Sequence, residues 1–214
     1  MLVRDRMSTK PVTIAASTPI AEALRTMRHA DVRRMPVLDE SGKLVGIVSE
    51  KDLLVASPSP ASSLTASEVH YLLNHLMVSE LMSTEVITIS PDTPVEEAAR
   101  IMADHKIGGL PVMESDRLAG IITETDVFTV LLEMFGAREK GLRMTLEIPE
   151  RKGEIARISL TIAQLGGNIL ALGTFWGDDP NTAVVTIKVE DVEVETLLAA
   201  MRNLGLTVTD ARLM

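Results

Sequence analysis

The chain has 214 residues, 46% of them hydrophobic but only 2% aromatic, with no cysteine and a formal net charge of −9. That length allows one large domain or two of ordinary size around an aliphatic core. Zero cysteines exclude a disulfide framework, a thiolate nucleophile and a thiolate zinc site, while few rings and an acidic balance argue against single-stranded nucleic acid, DNA and anionic membranes as partners.

The opening stretch MLVRDRMSTKPVTI holds no apolar signal-type segment, and no apolar run reaches membrane-spanning length. The expectation is a soluble, cytoplasmic protein. Charge is uneven: residues 1–53 carry nine Lys/Arg against seven Asp/Glu, a basic island of net +2 in an acidic chain.

A repeat organises the first two thirds. VRDRMSTKPVTI from Val3 returns as VSELMSTEVITI from Val78. Thr18-Pro19 returns as Thr93-Pro94, Met27 as Met102, and Met35-Pro36-Val37 as Leu110-Pro111-Val112. Leu44–Asp52 matches Leu118–Asp126 after a one-residue deletion.

Each copy predicts a small α/β unit. Val12–Ile14 and Val86–Ile89 read as short β-branched strands. A helix follows, with Thr18 or Thr93 as cap, Pro19 or Pro94 at its first position, and Glu96 completing a capping box. Its apolar stripe is Ile20, Ala23, Leu24 and Met27, and in the second copy Val95, Ala98, Ala99 and Met102. Strands over Met35–Leu38 and Leu44–Val48 flank an Asp39–Gly42 turn, and a last helix opens at Ser49 or Thr123. Between the copies, residues 57–63 read as a loop and Ser67–Leu76 as a helix. His70 and His75 lie on it five apart, off the spacing of a helical metal pair.

With Arg34–Asp39 and Gly46–Asp52, and their counterparts at 109–114 and 120–126, both copies resemble CBS motifs, the repeats named after cystathionine β-synthase. The resemblance covers about residues 1–134. It implies a pseudo-two-fold module with two clefts for adenosine-containing ligands of the AMP, ADP, ATP or S-adenosylmethionine class. It also implies ribose binding by Ser49/Asp52 and Thr123/Asp126. Read without the resemblance, Ser-x-x-Asp and Thr-x-x-Asp are equally helix caps with an acidic first turn, and the two readings can coexist. The resemblance places adenine near Val12, Ile14, Ile87 and Ile89, which would be core in any case. It places phosphates just before the Pro-Val strand, at Arg33-Arg34 in one copy and Gly108-Gly109 in the other. Arg33 and Arg34 read equally as a solvated pair at a strand start; the glycines remove charge but let backbone approach a ligand.

Phe135–Gly141 marks a boundary, and a new pattern follows it. Leu142, Met144, Leu146 and Ile148 alternate as a strand; Ile155, Ile158, Ile162 and Leu165 share a helix face. Strands at 168–175 and 183–189, a stripe from Val194 to Leu204 and a strand at 206–211 complete βαββαβ, a ferredoxin-like order. Ile148–Ala156 and Leu165–Ile169 resemble an ACT domain, with Glu150 where that family often has Asp. This resemblance implies an amino-acid site at Gly153, Asn168 and Ile169. Gly153 can equally serve only the turn, and Asn168 only the start of a strand.

The expected architecture is therefore α/β (α+β): repeats at 1–56 and 78–134, a linker with a helix at 57–77, a linker at 135–141 and an ACT-like domain at 142–214. A CBS pair followed by ACT at this length resembles proteins of the acetoin-utilisation AcuB type, which implies a metabolic regulator. No P-loop, G-x-S-x-G or His/carboxylate pair at ligand spacing is present, so no enzyme, metal or cofactor is expected. His29 and His105 recur at nearly the same repeat position, which fits a repeat residue better than catalysis. The expected partners are an adenosyl ligand, an amino acid, a second copy of the chain as a homodimer, and a protein target. The alternative is a structural or dimerisation module with empty CBS clefts that senses only an amino acid through ACT.

Overall fold

The computed structural model describes residues 1–56 and 65–214; the loop expected at 57–63 lies outside them. The chain divides into two compact units, Met1–Val127 and Phe128–Met214, ahead of the charged 135–141 segment.

The first unit runs β1 (Ile14–Ala15), α1 (Ile20–Ala30), β2 (Arg34–Leu38), β3 (Leu44–Ser49), α2 (Glu50–Val55), α3 (Ala66–His75), α4 (Val95–His105), β4 (Gly109–Glu114) and β5 (Arg117–Thr123). Helix α5 (Glu124–Met134) crosses the division. In the first repeat β1 pairs in parallel with β2, and β2 antiparallel with β3. Ile20, Ala23, Leu24 and Met27 are buried on α1 as their spacing predicts, and Val95, Ala98 and Met102 are buried on α4, where the fourth expected stripe residue, Ala99, is only half-buried.

The two repeats exchange their leading segments. Ser8 pairs with Ile121 of β5, and Ser83 pairs with Ile47 of β3, each by two backbone hydrogen bonds of 2.9–3.0 Å. The exchange requires glycine at equivalent places. A Cβ on Gly120 would lie 2.7 Å from the Ser8 carbonyl oxygen, and one on Gly46 2.5 Å from Met82 Sδ.

The same exchange corrects the predicted helix starts. Pro19 and Pro94 are themselves the N-caps, and neither Thr18 nor Thr93 caps through its hydroxyl. The first helical amides already have partners on the exchanged segments: Ile20 N–H donates to Leu76 O (3.0 Å) and Val95 N–H to Met1 O (3.2 Å). No side-chain acceptor is needed there, so the Thr93/Glu96 capping box does not form. The strand expected at Val12–Ile14 shrinks to Ile14–Ala15, and its counterpart to one bridge between Ile89 and Val112. The preceding residues of each segment border a cleft, as shown below.

The second unit runs β6 (Leu142–Pro149), α6 (Glu154–Gln164), β7 (Asn168–Trp176), β8 (Thr182–Glu190), α7 (Val194–Asn203) and β9 (Thr207–Leu213). The sheet order is β7-β8-β6-β9, with every pair antiparallel, as ferredoxin-like βαββαβ topology requires. Leu142, Met144, Leu146 and Ile148 alternate into a core with Ile158, Ile162, Leu197 and Met201 of the two helices. The 135–141 segment, expected as a linker, is held by this unit. Lys188 Nζ donates to Gly136 O (2.9 Å), and Gly141 and Met214 exchange backbone hydrogen bonds.

Candidate functional site

Each repeat ends its second strand pair on a helix start that carries a carboxylate. Asp52 Oδ2 accepts from Ser49 N–H (2.9 Å) and Ser49 Oγ (2.6 Å), and Asp52 N–H donates back to Ser49 Oγ (3.3 Å). Asp126 Oδ2 accepts from Thr123 N–H and Oγ1, both at 2.8 Å. Ser49 and Asp52 thus form a capping box, and Asp126 makes the carboxylate half of the same arrangement at Thr123. In each aspartate the other oxygen, Oδ1, has no partner among the described residues. An ionised carboxylate has about four acceptor positions, so the cap leaves Oδ1 open to a hydroxyl pair.

Each aspartate faces a cleft completed by the other repeat. The Asp52 cleft, about 490 Å³, is walled by Val86 and Ile87 and by the run Lys106-Ile107-Gly108-Gly109. The Asp126 cleft, about 460 Å³, is walled by Pro11 and Val12 and by the matching run Asp31-Val32-Arg33-Arg34. Both volumes fall in the range of small-molecule sites. Of the residues expected to hold adenine, Val12 and Ile87 line the clefts. Ile14 and Ile89 are buried where their segments join the sheets, Ile14 within the first repeat's apolar cluster.

The arginines divide differently from the sequence expectation of one basic cleft and one glycine cleft. Arg33 and Arg34 border both. Arg34 Nη1 donates to the Gly108 carbonyl on the Asp52 side, and Arg33 Nη2 reaches Thr125 Oγ1 (3.4 Å) on the Asp126 side. The two glycines make this reach possible. A Cβ on Gly108 would run into the Arg34 guanidinium, and one on Gly109 would lie 2.8 Å from Arg34 Cδ. Burial holds the Arg34 pKa below the usual arginine value, the neighbouring Glu124 carboxylate opposes that shift, and Arg33 adds to it. The strand-to-helix junction is fixed in both repeats by one bond: Glu50 N–H donates to Arg33 O (2.8 Å) and Glu124 N–H to Gly108 O (3.1 Å). Each bond ties the helix start that carries the aspartate to the run of its own repeat, which lines the cleft of the other aspartate.

Among the described residues, no cluster of three or more His, Cys, Asp or Glu side chains is placed to hold a metal, and no helix is long and apolar enough to cross a membrane. His29 and His105 are exposed near the ends of α1 and α4. His75 stacks on Tyr71 at 3.9 Å.

In the second unit, Gly153 has φ +93°, and a Cβ there would meet nothing within 4 Å; the turn needs glycine for its conformation, not for space. The adjoining Glu154, buried, is held by Arg151 Nε (2.6 Å) and Arg157 Nη1 (2.9 Å). Asn168 Nδ2 donates across the strand pair to Glu190 Oε1 (2.8 Å), and Ile169 packs on the core. Each of these three residues has a structural occupation.

A CBS-domain family model matches residues 3–59 and 78–133, more than half of the chain. The chain belongs to the CBS-domain family. A crystal structure of a Vibrio cholerae protein provisionally called an acetoin utilization protein (AcuB) is 33% identical, covering 64% of this chain and 95% of that one, with a TM-score of 0.53. A CBS domain pair solved with 5′-methylthioadenosine and S-adenosyl-L-methionine is 29% identical over 65% of this chain and 98% of its own, TM-score 0.52. A CBS protein solved with AMP is 28% identical over 61% of this chain and 96% of its own, TM-score 0.51.

Proposed function

We propose that this CBS pair is a regulatory sensor that binds adenosine-containing ligands in its two clefts and performs no chemistry itself. One observation carries the reading: each cleft joins a helix-start aspartate, with Oδ1 open, to the guanidinium groups of Arg33 and Arg34, which border both clefts. Oδ1 suits the cis hydroxyls of a ribose, and the guanidinium suits a phosphate. Related CBS proteins bound to S-adenosylmethionine, methylthioadenosine and AMP support the ligand class. Val12, Ile87, Gly108 and Gly109 serve as walls.

The second unit's βαββαβ order supports an ACT-type domain that passes the signal on, with Gly153, Asn168 and Ile169 as its amino-acid site. The likeness to the Vibrio cholerae protein supports a partner in acetoin-type catabolism inside the cytoplasm. Helix α5 leaves Phe128, Leu131, Leu132 and Met134 substantially exposed, which supports a homodimer.

Calorimetric titration with adenosine, AMP, ADP and S-adenosylmethionine tests the reading. Saturable binding of at least one, weakened by Asp52→Asn or Asp126→Asn, is the expected result. No binding of any of them would leave the aspartates as caps alone and the pair as a structural module.

A further inference from the structure

The C-terminal sheet is covered by α6 and α7 on one face only, and the opposite face carries a cavity of about 350 Å³ that neither the CBS clefts nor the Gly153 turn accounts for. Its floor comes from β6, β7 and β8, through Arg143, Ala171, Thr186 and Lys188. Its wall comes from Phe135 and Phe175, stacked at 6.1 Å and 11°. Gly173 makes room for this arrangement, since a Cβ there would lie 2.7 Å from the Phe135 ring.

Lys188 is the unusual feature. A lysine on the outer face of a sheet ordinarily extends its ammonium into water, yet Lys188 is only 3% exposed. Its Nζ makes one hydrogen bond, to Gly136 O, and among the described residues no carboxylate lies within ion-pair distance. An ammonium has three donors and is costly to bury unpaired. Arg143, on the same face, is already met by Asp210 (2.9 Å), which also accepts from Arg212. Of the two cations lining the cavity, one is therefore compensated and the other is not.

We propose that this cavity is a binding site for a small monocarboxylate with an aromatic or branched apolar body. The carboxylate would sit between Lys188 and Arg143, with the Thr186 hydroxyl beside it, and the body would lie against Phe135 and Phe175. One uncompensated positive charge matches a monoanion rather than a dianionic phosphate. An α-amino acid brings an ammonium that needs its own carboxylate, and Asp210 is already shared between two arginines. The site is therefore distinct in place and chemistry from the amino-acid site proposed at Gly153.

The test is calorimetric titration of the full chain with phenylacetate, phenylacetamide, L-phenylalanine and inorganic phosphate. Phenylacetate should bind with Kd below about 1 mM, with the neutral amide, the zwitterion and phosphate each at least about tenfold weaker, one 1.4 kcal/mol step. Lys188→Met should lose at least as much for phenylacetate. If Lys188→Met does not fold, Phe175→Ala, at a half-exposed position, should weaken phenylacetate several-fold. Absence of saturable binding, equal binding of the amide, or undiminished binding in the folded Lys188→Met or Phe175→Ala variant would overturn the proposal.

Discussion

At the run facing its carboxylate, the Asp126 cleft has Asp31, Val32, Arg33 and Arg34, where the Asp52 cleft has Lys106, Ile107, Gly108 and Gly109. Asp31 and Lys106 share the same left-handed backbone at the end of their helices, φ 53° and 54°, so the scaffold is conserved between the copies while the side chains have diverged. The loss of two side chains in the second copy does not leave its cleft without a cation. It opens the space through which Arg34 of the first copy reaches the Gly108 carbonyl. Two phosphate positions that would be symmetric in identical repeats become one pair of arginines shared between two clefts. A charge tally of each repeat taken alone misses this, because each cleft is assembled from both.

The largest expected effect follows from that sharing. Arg33→Ala/Arg34→Ala should weaken AMP on the order of a hundredfold while leaving adenosine nearly unchanged, because charge-assisted hydrogen bonds contribute roughly 1.5–3 kcal/mol each. Calorimetry with both ligands reads the split. Equal losses for adenosine and AMP would remove the arginines from phosphate recognition.

Asp52→Asn and Asp126→Asn should each cost about tenfold in affinity at their own cleft, for adenosine and AMP alike, since the ribose is common to both. Each should also lower stability by about 0.5–2 kcal/mol through the cap. Denaturant unfolding and titration of the same samples separate the two consequences, and a stability loss without an affinity loss would leave only the cap.

The exchanged segments give a comparison independent of ligand. Gly120→Ala and Gly46→Ala should destabilise by roughly 1–3 kcal/mol through overpacking. Gly120→Ala should be the worse, because it meets the Ser8 backbone while Gly46→Ala first meets the movable end of Met82. Urea midpoints test the order; equal and negligible effects would mean that the segments do not pack as described.

The smallest effect concerns acid. The Arg151 hydrogen bond, with help from Arg157, holds the Glu154 carboxyl below the ordinary glutamate value. A depressed folded pKa contributes stability above the unfolded value, about pH 4.3, and that contribution is lost as pH falls through the folded value. Glu154→Gln should therefore show a flatter dependence of Tm on pH than the wild type across the window from about pH 5 downward. Parallel curves would mean that Glu154 does not contribute to acid unfolding.

Much of this was legible in the sequence for a physical reason. Helix stripes such as Ile20–Met27 and strand alternation such as Leu142–Ile148 record burial directly, and the repeat records its own fold twice. What was hidden depends on contacts between distant segments. The helix caps shifted because Leu76 O and Met1 O already satisfy the first amides. The strands at Val12–Ile14 and Val86–Ile89 shortened at the cleft edge. Arg34 crossed to the other repeat through a space that only the fold reveals. Lys188 alternates with Ile187 and Val189 as an outward residue should, and its burial comes from Phe135 and Gly136, fifty residues earlier, folding back over the sheet.

The central claim is that each cleft holds an adenosyl ligand with its ribose on an aspartate Oδ1 and any phosphate on the shared arginines. A crystal structure of the full chain grown with saturating AMP tests it most directly. The account predicts AMP in at least one cleft, with ribose hydroxyls within about 3 Å of Oδ1 of Asp52 or Asp126 and the phosphate on Arg33 or Arg34. AMP held elsewhere on the chain, or in a cleft with its phosphate turned away from both arginines, would contradict it.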